Sequence, residues 1–460
     1  MRQTRRIQLL LTEPWLDLER AKELETISRL LDQHPTINDL VLQDLRTATG
    51  AGGRQVGAGG MSAEQVLRAL LLKQMEGYSY RELAFHLADS RSYRTFCRIG
   101  LAEEAPSKSA LAANIKGLRV ETLEAINRVI VVAADEAGVE NGRRARVDCT
   151  VVESNIHEPT DSGLLWDCVR KLTDLMNQAR KLLGANIVTF SSHRRRAKRR
   201  HKEISTAKSN EDRQKPYRDL IGVSEQVRDD ARRVLAVVQE QLGRMDLDPL
   251  QALVLKGIAQ GLERFLALTE QVIDQSRRRV LLGESVPAGE KIVSIFEEHT
   301  DIIRKDRRET LYGHKICLTA GASSMILDLV VLEGNPADST LAEKAVDRQK
   351  EIFGRFPRQV TFDGGFSSKA NLQAIKAKEG VQDVVFSKGR GLAVSDMARS
   401  SWVYRRLRNF RAGVEGLISF LKRIFGLDRC TWRSWPSFQS YVWGSILACN
   451  LLVMARHTMA

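Results

Sequence analysis

The feature that most limits how this chain can fold is a change of hydrophobic period at residue 145. Before it, apolar residues recur at helical spacing. The stretch "ARVDCTVVES" (145–154) is instead β-branched and strand-like, bounded by "NGRR" and "NIHEP". A long helical pattern follows, roughly 163–300, and strand patterns return only after 310. "YGHKICLTAG" (312–321) and "MILDLVVLEG" (325–334) read as a hairpin about "ASS". A helix over about 339–353 precedes a strand in "RQVTFDGGF" (358–366). A further helix and the strand "VQDVVFSKG" (381–389) lead to the amphipathic helix "RAGVEGLISFLKRIFG" (411–426). With the helical stretch set aside, the order is strand, two strands, helix, strand, helix, strand, helix. This predicts a mixed α/β protein with an RNase H-like core, a mixed five-stranded sheet flanked by helices, interrupted by a large all-α insertion.

The region before the first strand predicts a separate all-α domain. Ser62 with Gln65, and Ser79 with Glu82, fit capping boxes on either side of a turn at Gly77. Two helices so joined suit a helix-turn-helix or a plain helical hairpin. "PSKSALAANIKGL" (106–118) starts another capped helix. The expected organisation is a helical segment ending in the glycine-rich "TGAGGRQVGAGG" (1–60), a helical DNA-binding or dimerisation domain (61–144), and the catalytic domain (145–460), whose insertion spans about 155–307.

Charge narrows the partners. The 71 Lys and Arg exceed the 57 Asp and Glu by 14, which favours a polyanion such as nucleic acid. The densest run, "HRRRAKRRHK" (193–202), holds Arg194, Arg195, Arg196, Lys198, Arg199 and Arg200. It reads either as a solvated helix face or as a contact to DNA backbone. The six cysteines show no C-x-x-C pair, which suits a reduced, cytosolic setting without structural zinc. The N-terminal apolar run is too short for a signal peptide, and "YVWGSILACNLLVMA" (441–455) is too short for a bilayer span. The latter reads as a buried C-terminal helix.

Three acids fall at comparable places in this pattern. Asp148 lies mid-strand, Asp363 ends a strand at a glycine turn, and Glu415 borders the apolar stripe of Val414, Leu417, Ile418, Leu421, Ile424 and Phe425. Arg411 stands four residues before Glu415 and Lys422 seven after, all on one helix face. Alone, Arg411 and Glu415 make an i,i+4 pair worth ~0.3–0.5 kcal/mol. An acid between apolar strand residues is costly unless solvated, paired or metal-bound. Carboxylate clusters of this kind hold two Mg²⁺ ions ~3.5–4 Å apart in phosphodiester chemistry. Glu153 reads as a strand-end charge, Asp161 as a helix cap, and His314 as structural.

These blocks resemble those of DDE transposases of bacterial insertion sequences, nearest to the ISNCY type. "RVDCTVVESNIHEPTDSGLLWD" resembles the first-aspartate block. "VTFDGGFSS" matches the second through Asp363, Gly365 and Phe366. Arg411, Glu415 and Lys422 match the Arg-x3-Glu-x6-Lys of the third, whose preceding tyrosine is here Arg408. "LLLKQMEGYSYRELAFHLADSRSYRTFCRIG" resembles the N-terminal helical domain of such enzymes. The resemblance implies that Asp148, Asp363 and Glu415 bind two Mg²⁺ ions, with Mn²⁺ as a substitute, and that Arg411 and Lys422 meet DNA phosphates. The implied enzyme binds the terminal inverted repeats of its own element, cleaves the ends and joins the 3′-hydroxyls to target DNA. Double-stranded DNA is its partner, a dimer or larger synaptic assembly its working form, and the bacterial cytoplasm at the nucleoid its place, with no membrane. The competing readings are a stand-alone RNase H-fold nuclease and a non-catalytic DNA-binding regulator or decayed transposase.

Overall fold

A computed structural model of the chain describes residues 3–4, 15, 17–47, 60–100, 102–243, 248–305 and 309–460. All but the last residue of the glycine-rich stretch lies outside the described residues. The chain forms two compact units, Met1–Asn155 with Gly313–Ala460, and Ile156–Tyr312.

The first unit begins with helices α1 (Glu19–Gln33), α2 (Thr36–Thr47), α3 (Ala63–Glu76), α4 (Tyr80–Asp89), α5 (Arg91–Phe96), α6 (Lys108–Ile115) and α7 (Val120–Glu136). Local chemistry sets their ends. Ser62 Oγ accepts from the Gln65 N–H at 3.2 Å and Gln65 Oε1 accepts from the Ser62 N–H at 3.0 Å. Ser79 and Glu82 repeat the exchange at 3.2 and 2.8 Å. Between them Gly77, at φ +67°, takes the left-handed conformation that ends α3. Helix α3 is buried on every side from Ala63 to Met75, so it is the core of this helical part. Helix α4 buries only Leu83 and Leu87 and leaves Arg81, Glu82 and Phe85 in solvent.

Strand β1 (Arg144–Glu153) then opens the sheet. The second unit follows with α8 (Asp161–Leu183), α9 (Arg194–Thr206), α10 (Asn210–Leu242), α11 (Pro249–Ser276) and strand β2 (Asp301–Lys305). Its helices close on a common apolar core that includes Leu172, Leu220, Val227 and Leu262. Thr160, not the expected Asp161, caps α8: Thr160 Oγ1 accepts from the Gly163 N–H at 3.1 Å. Asp161 turns instead to Arg279, at 2.9 and 3.0 Å.

The chain continues through β3 (Glu309–Ala320), β4 (Ile326–Val331), α12 (Ala342–Phe353), β5 (Gln359–Phe362), α13 (Lys369–Lys376), β6 (Asp383–Phe386), α14 (Val394–Met397), α15 (Ser401–Ile424) and α16 (Trp435–Met459). The strands order as β4-β3-β1-β5-β6. β3 runs antiparallel to β1 and β4, and β5 parallel to β1 and β6. This is the RNase H-like arrangement. Among the described residues it carries one strand more than the five expected: β2 pairs with β3, whose first residues belong to the second unit.

Alternation along β1 gives the two sheet faces different duties. Ala145 and Val147 pack with α12 and α13 side chains, including Val346 and Ile375. Arg146 and Asp148, of opposite parity, turn toward α15, where the Phe410 carbonyl accepts from Arg146 at 3.2 Å. Helix α16, at 25 residues, is long and apolar enough to cross a membrane, contrary to the length expected from its apolar run, yet 89% of its 18-residue apolar window is buried inside the structure. Its Asn450 closes the reason: Oδ1 accepts from the Ile326 N–H at 2.8 Å, and Nδ2 donates to the Ile326 carbonyl at 2.7 Å and to Asn127 at 2.8 Å. Such a side chain belongs beside a sheet edge, where each polar atom finds a partner.

Candidate active site

The register of three neighbouring strands brings distant residues together. Val147 lies opposite Phe362, and Phe362 opposite Phe386. The next residue of each is therefore adjacent, Asp148 midway along β1 and Asp363 and Ser387 just past the carboxyl ends of β5 and β6. This is where open α/β sheets place their ligands. Glycines shape the Asp363 turn. A Cβ on Gly364 would lie 2.9 Å from Lys388 Cβ, so the chain needs glycine there.

Helix α15 crosses this edge and presents Arg411 and Glu415. Arg411 Nη2 donates to Asp148 Oδ2 at 2.9 Å and lies 3.3 Å from Asp363 Oδ1. Its Nη1 donates to Glu415 Oε1 at 2.6 Å. One guanidinium thus holds all three acids. The i,i+4 pair expected from spacing is present, but the same guanidinium reaches beyond it to both aspartates. Arg411 Nε is buried without a hydrogen-bond partner among the described residues.

The acids are not equivalent. Burial pushes the Asp148 carboxyl up to about 6, against the Arg411 charge and the Cys149 N–H, while Asp363 and Glu415 push it further up. Burial also raises Asp363, but the Ser387 hydroxyl at 2.8 Å, the N–H groups of Gly364 and Gly365 and Arg411 together hold it below its ordinary value. The Glu415 side chain is 67% exposed. Among the described residues no three His, Cys, Asp or Glu side chains are gathered at metal-binding spacing; these carboxylates close on Arg411 instead. Their donor chemistry nonetheless fits a hard divalent cation, since all three offer oxygen and Asp148 is ionised only at a cost.

Other expected site residues fall elsewhere. Lys422, also on α15, lies 3.4 Å from Asp428 rather than on the acids. Ile424, expected on the buried stripe, is 47% exposed because α15 ends there and Phe425 takes the inward position. The basic run forms α9 and divides by face. Arg194 pairs with Asp174 at 2.6 Å, and Arg196 and Arg200 both pair with Asp219 of α10. Arg195, Lys198, Arg199 and Lys202, at i, i+3, i+4 and i+7, share the exposed face. On that face only Arg199 has an acid within 4 Å among the described residues, Glu203 at 3.8 Å. Ser387 is a site residue that no sequence motif marks, and Arg146 stands in the first-aspartate block without having been singled out. The one available signal for Ser387 is its place just past a strand expected to lie beside that of Asp363.

Residues 297–451 match a family model described as "Transposase DDE domain", and residues 15–117 match one described as "Transposase domain (DUF772)". The chain carries two transposase domains, the C-terminal one of the DDE type. Asp363 and Glu415 of this transposase lie inside the matched DDE range, whereas Asp148 lies outside both ranges and joins the site through strand register alone. No curated protein and no solved structure matches the chain. The nearer likeness to ISNCY-type elements is carried by neither description.

Proposed function

We propose that the protein binds the terminal inverted repeats of its own insertion sequence, cleaves the element ends and transfers the 3′-hydroxyls to target DNA. The observation that carries this reading is the convergence of Asp148, Asp363 and Glu415 within reach of a single guanidinium. These acids would hold two Mg²⁺ ions, with Mn²⁺ as a substitute. Ions held there would supply the Lewis-acid chemistry that activates an attacking oxygen and stabilises a leaving one. Ser387 fixes the rotamer of Asp363, and the Cys149 N–H, at 2.8 Å, fixes that of Asp148. Arg411 and Lys422 orient the DNA backbone beside the acids. Residues 61–144 read the element ends, with α4 offering exposed side chains. Two ends must be joined in one event, so the working form is a dimer or larger, on nucleoid DNA in the bacterial cytoplasm.

The test is cleavage of a DNA fragment carrying the sequences that flank the gene. Wild type should cut at the element ends in Mg²⁺ and not in EDTA. Asp363→Ala should bind the fragment with unchanged affinity and lose cleavage by ~10³-fold or more, the several kcal/mol such ligands supply. Sequence-specific binding without cleavage by wild type would make the protein a regulator or a decayed transposase.

The two faces of α9 refine this picture of DNA binding. The double substitution Arg195→Glu with Lys198→Glu is expected to weaken DNA binding and lower the salt-dependence slope by about one for each phosphate no longer neutralised. Arg196→Ala should leave that slope unchanged and lower the melting temperature slightly instead, because it removes one of the two arginines that pair with the part-buried Asp219. Equal effects of both changes on the slope would refute this division.

A further inference from the structure

The Arg411 geometry exceeds what a structural ion pair needs. A pair on one helix would use one carboxylate; here Nη1 takes Glu415 while Nη2 is shared between Asp148 and Asp363, on two strands. The guanidinium is largely buried, at 13% side-chain exposure, yet its Nε has no hydrogen-bond partner among the described residues. A guanidinium has five donors, and this one is held by carboxylate charge rather than by a complete set of bonds. Three carboxylates against one cation leave the cluster two charges short of neutrality, and Lys422 does not contribute, being turned to Asp428.

We infer that Arg411 is an exchangeable internal counterion: it competes with divalent cations for the three acids and yields them when a DNA phosphate offers it another partner. Arg411 and two cations cannot occupy the centre of one cluster together. Two divalent cations with Arg411 still in place would turn an excess of two negative charges into an excess of two positive ones. A phosphodiester at the site supplies negative charge and two oxygens in the geometry a guanidinium prefers. Cation loading is thereby coupled to DNA engagement, and the protein free of DNA is kept from assembling a cutting site. The inference rests on the proposed metal-binding role of the triad and adds what regulates it.

The experiment is Mn²⁺ titration of the full chain by calorimetry, with and without a short duplex carrying the element ends. Without DNA, Arg411→Gln should bind Mn²⁺ roughly tenfold tighter than wild type or more, within the ordinary span of coupling energies. Duplex should tighten Mn²⁺ binding to wild type by a similar factor and to Arg411→Gln much less. Arg411→Lys should fall between, since a point charge on a flexible stem cannot bridge three carboxylates. It also serves where Arg411→Gln folds poorly, as its melting curve would reveal. If Asp363→Asn weakens Mn²⁺ binding while both Arg411 variants bind no tighter than wild type, the counterion role is overturned and the triad stands. If Asp363→Asn binds Mn²⁺ as wild type does in every condition, the triad reading falls, and this inference with it.

Discussion

Asp148→Asn is expected to abolish DNA cleavage and, in EDTA at pH 7, to make the protein more stable. Both follow from one carboxyl. Its titration point is about 6 in the folded chain against an ordinary 3.8, with burial the largest cause. An acid whose folded value is raised contributes stability in full below about pH 3.8. It loses that contribution as pH rises through about 6, because the native state then ionises a group it disfavours. A rise of that size corresponds to about 3 kcal/mol. Denaturant melts of EDTA-treated wild type and Asp148→Asn should therefore diverge from pH 4 to 7, the variant being the more stable at the upper end. A stability difference that does not change with pH would refute this account. Asparagine keeps an oxygen for the Cys149 N–H, so the comparison isolates charge. On the proposed function, an acid that costs the fold stability in this way is kept for its chemistry.

Gly313→Ala should unfold the edge on which the site is built. Gly313 sits on β3 opposite Glu153 of β1. A Cβ there would overlap the Val152 carbonyl oxygen and lie 2.6 Å from Glu153 Cα. Both obstacles are backbone and cannot rotate away, so the two strands must part, at a cost of about 3 kcal/mol. The urea midpoint should drop accordingly, and cleavage should fall with the folded fraction. Gly257→Ala is the internal control. That glycine lies within α11 with nothing within 4 Å of an added Cβ, so the substitution should leave stability unchanged or raise it by ~0.5–1 kcal/mol. A similar destabilisation in both variants would show that packing against β1 is not the cause.

Much of the fold was legible because its signals are local. The Ser62 and Ser79 capping boxes lie within four residues each and formed as read. The switch of period at 145 and the order of strands and helices after 310 predicted the sheet, since side-chain alternation is a property of each strand by itself. The C-terminal helix reads as buried because its apolar run is too short for a bilayer. Helix α16 is in fact 25 residues, long enough to span one, and its burial and the Asn450 bonds, not its length, place it in the core. Small offsets arose where two residues compete for one duty. Thr160 caps α8 beside Asp161, which Arg279 draws away, and Phe425 points inward where Ile424 was also expected to.

Short windows of the chain were therefore enough to name the acids and the elements that carry them. Periodicity and capping act over a few residues, and each leaves its mark within that span. Which side chains meet was set by folding as a whole: Arg411 reaches Asp148 across 263 positions, Ser387 comes to Asp363 through the register of β5 on β6, and α10 takes Arg196 and Arg200 but leaves Arg195 and Lys198 in solvent. Such meetings depend on how strands register and which helix face is covered. Those are outcomes of packing the whole unit, and no short stretch of the chain encodes them.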